Sequence, residues 1–132
     1  MRGNAPVILI ADDEEQIGLL ASMCLKKLGY VTLLANGPIA ALDYWHHHHG
    51  EIDMLLTDLA MPEMRGDHLA ERLQREKPGL HVVFMSGSPL KPDEIAFTLS
   101  EGENFLHKPF SRDTLASLFK KHLSRGSPPP SS

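Results

Sequence analysis

Cysteine is nearly absent from this chain of 132 residues; Cys24 is the single one, so no internal disulfide can form. That fits a reducing compartment, where a fold relies on its core rather than on covalent staples. Long apolar runs are missing too. None approaches the roughly 20 residues needed to cross a bilayer, and no secretory leader is visible. Basic residues are too thinly spread for a nucleic-acid surface: 13 Lys and Arg are outnumbered by 17 Asp and Glu. There are no internal repeats. What remains is ordinary for a globular domain, with 42% hydrophobic and 23% charged residues in a length that can bury its own core. Composition therefore predicts a soluble, cytoplasmic domain with no direct nucleic-acid or membrane contact.

Along the chain, short apolar runs alternate with helical patterns. "VILIA" (residues 7–11) reads as a strand covered on both faces. Ile17, Leu20, Ala21, Cys24 and Leu28 then recur at helical spacing, with Gly29 as terminator and Cys24 as a small core residue. "YVTLLA" (30–35) is a second strand, followed by a helix carrying Ile39, Leu42 and Trp45 inward. "IDMLLTD" (52–58) is a third strand. Pro62 and Gly66 interrupt the chain before a helix with Leu69, Leu73 and Glu76, stopped near Pro78-Gly79. "LHVVFMSGS" (80–88) is a fourth strand, 92–100 a weaker helix with Ile95, Phe97 and Leu99 partly inward, and "NFLHKPF" (104–110) a fifth strand. Ser111 caps a last helix with Leu115, Leu118, Phe119 and Leu123. The pattern predicts one domain over residues 1–125 and an unstructured, proline-rich tail at 126–132.

Five strands alternating with five helices predict a doubly wound α/β fold with a parallel sheet covered on both faces. In such sheets ligands bind at the carboxyl ends of strands. Asp12 and Asp13 follow the first strand, Asp58 ends the third, Ser86 the fourth, and Lys108 follows the fifth. Three carboxylates at one edge repel each other and resist leaving water unless a cation joins them. The donors are all hard oxygens, which favours magnesium, with manganese as a substitute, over zinc or copper. Magnesium held by a few carboxylates keeps waters that phosphate oxygens can replace. Asp58, with Ser86 and Lys108 on its flanks, is then the candidate nucleophile for phosphoryl transfer.

"ADDEE", "LLTDLAMPEMRG", "FMSGS" and "FLHKPF", in that order and spacing, resemble the receiver domain of two-component response regulators. The resemblance runs from about Val7 to Leu123 and implies a flavodoxin-like sheet of order 2-1-3-4-5. It implies that Asp58 is the phosphoacceptor. It matches Asp13 and Asp58 to the direct carboxylate ligands of magnesium, Asp12 to a second acidic residue that often holds the metal through water, and Ala60 to a backbone-carbonyl ligand. Ser86 matches the conserved hydroxyl and Lys108 the lysine that pairs with the phosphoryl group, followed by a cis bond to Pro109. Ser86 and Phe105 match the switch pair, Phe105 standing where tyrosine is frequent. The fourth helix, fifth strand and fifth helix would pass the change to a partner. The implied partners are a histidine kinase or a histidine phosphotransfer protein, with the domain a monomer or a weak, phosphorylation-dependent dimer. A finer resemblance is to receivers fused at the C-terminus of hybrid histidine kinases; a free-standing single-domain regulator is the alternative.

Other readings fit the residues less well. A nucleotide or flavin binder of the same topology needs a Ser/Thr/Gly-rich loop after the first strand, where "DDEEQ" would repel phosphate. A haloacid-dehalogenase-type hydrolase places its nucleophile after the first strand in a "DxD" pattern, which "DDE" does not match. A docking-only receiver would have lost site residues that are present here. His46–His49 read as a solvated helix end that would bind nickel or zinc only adventitiously, because neighbouring histidines on a helix point in successive directions.

Overall fold

Strand β1, Val7–Ala11, is apolar at every position and buried at every position, which places it inside a sheet covered on both sides. In the computed structural model, which describes residues 5–48, 50–87, 95 and 97–126, it is followed by α1 (Glu15–Lys27), β2 (Val31–Ala35), α2 (Pro38–His48) and β3 (Met54–Asp58). Then come α3 (Gly66–Glu76), β4 (His81–Ser86), β5 (Phe105–His107) and α4 (Arg112–Gly126). All neighbouring strands pair in parallel, in the order β2-β1-β3-β4-β5, with Leu9 opposite both Leu33 and Leu55 and Leu56 opposite Val83.

Alternate residues of each strand face two separate cores, as the two-residue period of a strand requires. On one side Leu9, Leu55 and Phe84 pack with Trp45 of α2 and with Leu69 and Leu73 of α3. On the other, Ile8, Ile10, Leu56 and Val83 pack with Leu25 of α1 and with Leu118 and Phe119 of α4. Each of these large apolar side chains contributes about 1.5–3 kcal/mol by leaving water. Cys24 is a buried core thiol. Gly29 ends α1 in the left-handed region at φ 99°, which a glycine adopts without steric cost. Ser111 caps α4, its Oγ accepting from the N–H of Thr114 at 3.1 Å.

Two expectations are corrected. Ile39 is not inward but 64% exposed; Pro38, Ala41 and Trp45 form the buried stripe of α2, and Ile39 lies off that 3.6-residue period. The helix expected over 92–100 is not found in its described part, Ile95 and 97–100, which is irregular, while residues 88–94 and 96 lie outside the described set. Ile95, Phe97 and Leu99 recur every second residue, a spacing that gives a helix no apolar stripe. The backbone there turns instead to Asn104, whose side chain accepts from the N–H of Ser100 at 2.7 Å and donates to the carbonyl of Thr98 at 2.9 Å. Phe97 still packs on the core, edge-on to Phe84 at 4.9 Å.

The fifth strand is shorter than expected, three residues, and stops before Pro109, which has no N–H to donate. Residues 127–132 of the expected tail, like His49 and the side chain of Leu123, fall outside the described set. No helix among the described residues is long and apolar enough to cross a membrane.

Candidate functional site

Four strand ends meet at the carboxyl edge. Asp12 directly follows β1, its N–H bonded to the carbonyl of Ala35 at 3.1 Å, and the residue is 1% exposed. Asp58 is the last residue of β3 and is buried, as is Ser86, the last residue of β4. Lys108 follows β5 and continues the ladder by donating its N–H to the carbonyl of Ser86 at 2.8 Å. The Lys108–Pro109 bond is cis. An open cleft of ≈630 Å³ lies over this edge, lined by Asp13, Glu14, Ile17, Asp58, Ala60, Gly87, Lys108 and Pro109.

The ammonium of Lys108 sits among three carboxylates, with Nζ 3.0 Å from Asp12 Oδ2, 2.5 Å from Glu14 Oε1 and 3.3 Å from Asp58 Oδ2. Burial works against its charge, yet the bonds to Glu14 and Asp12 outweigh that and raise its pKa, so it stays protonated. Burial pushes Asp58 up to about 6; Lys108 and the N–H of Ala60 pull the other way, and the negative Asp12 adds to the rise. Asp12 is raised by burial as well, against the N–H of Glu14, which donates to its Oδ1 at 2.9 Å, and against Lys108.

A single ammonium does not balance this set. Asp12 Oδ2 is buried and receives no well-aligned hydrogen bond despite its closeness to Lys108. Asp12, Glu14 and Asp58 each offer an oxygen within 4.8 Å of the others, the one such metal-capable group among the described residues. A buried oxygen held only by an ion-pair contact, beside other hard donors, fits magnesium or manganese.

The placement of each expected residue is therefore plain. Asp12, Asp58 and Lys108 come together directly. Asp13 is exposed and lines the cleft but is not one of the three clustered carboxylates. Ala60 lines the cleft on the loop after β3. Ser86 stands one residue before the cleft wall at Gly87, and Phe105 is buried in the core on the α2 and α3 side. Glu14 received no role from the sequence, although it was visible as the third member of the acidic run.

The loop between β3 and α3 is moulded around Asp58. Gly66 donates its N–H to the carbonyl of Leu59 at 2.9 Å, and Thr57 Oγ1 donates to the carbonyl of Asp58 at 3.0 Å. Asp67, fully buried, receives two bonds from Arg65, Nε at 3.0 Å and Nη2 at 2.8 Å.

Fold and site together define a doubly wound α/β domain with a cation-seeking acidic cleft at the switch point of its sheet. The family model of the response regulator receiver domain matches residues 8–120, and the chain belongs to that family. It is 32% identical over 127 residues to the sensor kinase CckA of Brucella abortus, covering 95% of this chain and 13% of that protein. It is 28% identical to the DNA-binding transcriptional regulator NtrC of Azospirillum brasilense, covering 96% of this chain and 26% of that protein. The chain thus spans about a quarter or less of these two curated relatives. Among solved structures, the receiver domain of the hybrid histidine kinase CckA superposes with a TM-score of 0.73 at 30% identity, over 89% of this chain and 98% of that one.

Proposed function

We propose that this receiver accepts a phosphoryl group on Asp58 from a phosphohistidine of a kinase or a histidine phosphotransfer protein. An Asp58 oxygen attacks phosphorus in line, the P–N bond to the donor imidazole breaks, and the ring leaves as neutral histidine after taking a proton from water. The observation that carries this reading is the pairing of Asp58, at a cleft wall, with Lys108 Nζ 3.3 Å away. Lys108 and Ser86 would neutralise phosphoryl oxygens. Asp12, Asp13, Asp58 and the carbonyl of Ala60 would hold magnesium, which would supply charge compensation for the transferring group.

Water later hydrolyses the acyl phosphate, so the domain is a self-modifying partner rather than an enzyme with turnover on a free metabolite. Neutralising the new charge draws the hydroxyl of Ser86 inward, and Phe105 rotates into the space left; this shifts the surface around β5 and α4 that a partner reads. Lacking a phenolic hydroxyl, Phe105 holds the inward state by packing alone. The identity with a sensor kinase supports a hybrid-kinase origin over a free-standing regulator, and either setting is cytoplasmic.

Intact mass after incubation with acetyl phosphate tests the reading. A magnesium-dependent gain of one phosphoryl group is expected, and it should vanish in Asp58→Asn. Labelling that persists in Asp58→Asn would refute the assignment.

A further inference from the structure

Glu14 is the carboxylate nearest to Lys108, closer than either aspartate. It stands at the N-cap of α1, where a side chain ordinarily turns back to accept from the first helical N–H groups. Here it makes no such bond. Its carbonyl alone serves the helix, accepting from Ile17 and Gly18 at 3.1 Å each. The side chain is thereby free to cross to the end of β5 and receive a hydrogen bond from a residue 94 positions away. The ammonium it holds touches every carboxylate of the metal-capable cluster. An ammonium and a divalent ion compete for the same oxygens, since both are drawn by the same negative charge.

We propose that Glu14 is a positioning residue that parks Lys108 among the metal-facing carboxylates, so that magnesium entry and release of Lys108 from Glu14 form one exchange. This rests on the receiver reading given above. In the metal-free protein the lysine screens Asp12 and Asp58 from each other. When the metal takes over that screening, the lysine becomes available to the group carried by Asp58. Glu14 positions Lys108 and, as a member of the acidic cluster, also adds its charge to the field at the metal. Its side chain is 60% exposed, so replacing it leaves both cores intact.

The test is a double-mutant cycle on magnesium affinity, measured by calorimetry for the wild type, Glu14→Gln, Lys108→Met and the double variant. Removing a carboxylate near the metal weakens binding by charge alone. Where Lys108 is present, that loss is offset, because the competing lysine is loosened at the same time. The penalty of Glu14→Gln should therefore be at least about threefold smaller with Lys108 in place than in the Lys108→Met background, a coupling of the size seen between contacting residues. The ε-carbon resonance of Lys108 in metal-free Glu14→Gln should also move toward its magnesium-bound position. Equal penalties in both backgrounds with an unmoved lysine signal would overturn the proposal and leave Glu14 as an ordinary acidic neighbour of the metal. Failure of the receiver reading looks different: no variant, wild type included, would bind magnesium or gain a phosphoryl group.

Discussion

Gly66 is pressed against the backbone of Asp58: a Cβ built at Gly66 would lie 2.0 Å from the carbonyl oxygen of Asp58 and 3.0 Å from Thr57 Oγ1. Neither the strand end nor the first turn of α3 can give way cheaply, because Gly66 also bonds to Leu59. Gly66→Ala should cost about 1–3 kcal/mol by overpacking and should slow phosphorylation of Asp58 as well. Denaturant unfolding and acetyl-phosphate labelling of the same sample check both effects. An alanine variant of unchanged stability would mean that the loop is softer than this contact implies.

Asp58 itself is held at the expense of stability. Its pKa of about 6 lies above the ordinary 3.8, so the native state binds a proton more tightly than the unfolded chain does. For this group, stability is greatest below pH 4 and falls as pH rises through about 6. Asp58→Asn removes that loss, and in the presence of a chelator it should stabilise the protein at neutral pH by up to ~3 kcal/mol. Urea midpoints of both proteins across pH 4 to 7.5 should diverge with rising pH. Parallel curves would show that Lys108 already compensates the charge in full.

Much of this is readable in the amino-acid sequence. β1 and β3 announce themselves as mostly apolar runs that lead into an aspartate, because a parallel strand buried on both faces has little polar side to show. The convergence of Asp12, Asp58, Ser86 and Lys108 follows from strand ends alone once the sheet is parallel. Glu14 was not legible, since a glutamate at the start of a helix is ordinary solvated sequence, and only the tertiary fold brings Lys108 to it. In α2 the three-residue spacing of Ile39, Leu42 and Trp45 points inward, but the buried stripe follows Pro38, Ala41 and Trp45 and leaves Ile39 exposed. The segment before β5 has apolar residues at strand-like spacing in a stretch that the alternation of elements assigns to a helix. That conflict is settled by Asn104 and by Phe97 packing on Phe84, which no local pattern reveals.

Tyr30, just before β2, ties the start of that strand to α4. Tyr30, 4% exposed, donates from its phenol to the carbonyl of Phe119 at 3.0 Å, and the two rings meet edge to face at 5.8 Å. Tyr30→Phe keeps the ring pair and removes this one hydrogen bond, while the carbonyl stays within the α4 ladder, so about 1 kcal/mol of stability should be lost. Thermal unfolding measures this, and magnesium affinity in the same variant should stay constant, because the bond lies within the core on the α1 and α4 side.

Asp67 should respond to pH in the sense opposite to Asp58. Burial alone would raise its pKa, but the paired bonds and charge of Arg65, helped by His68, outweigh burial and lower it below 3.8. Its position in the first turn of α3 adds the favourable end of the helix dipole. A depressed carboxylate contributes stability that is complete above the unfolded value near pH 4 and is lost as pH falls through the lower folded value. Asp67→Asn should therefore cost roughly 1–3 kcal/mol at neutral pH, the size expected when a buried charged partner is removed, and the cost should shrink on acidification. Arg65→Gln, which leaves the buried carboxylate uncompensated, should be the more damaging change and should carry its penalty above pH 4. Unfolding curves of the three proteins at pH 7 and pH 3 decide the matter: penalties equal at both pH values would mean that shape at Gly66–Asp67, not charge, holds the loop beneath Asp58.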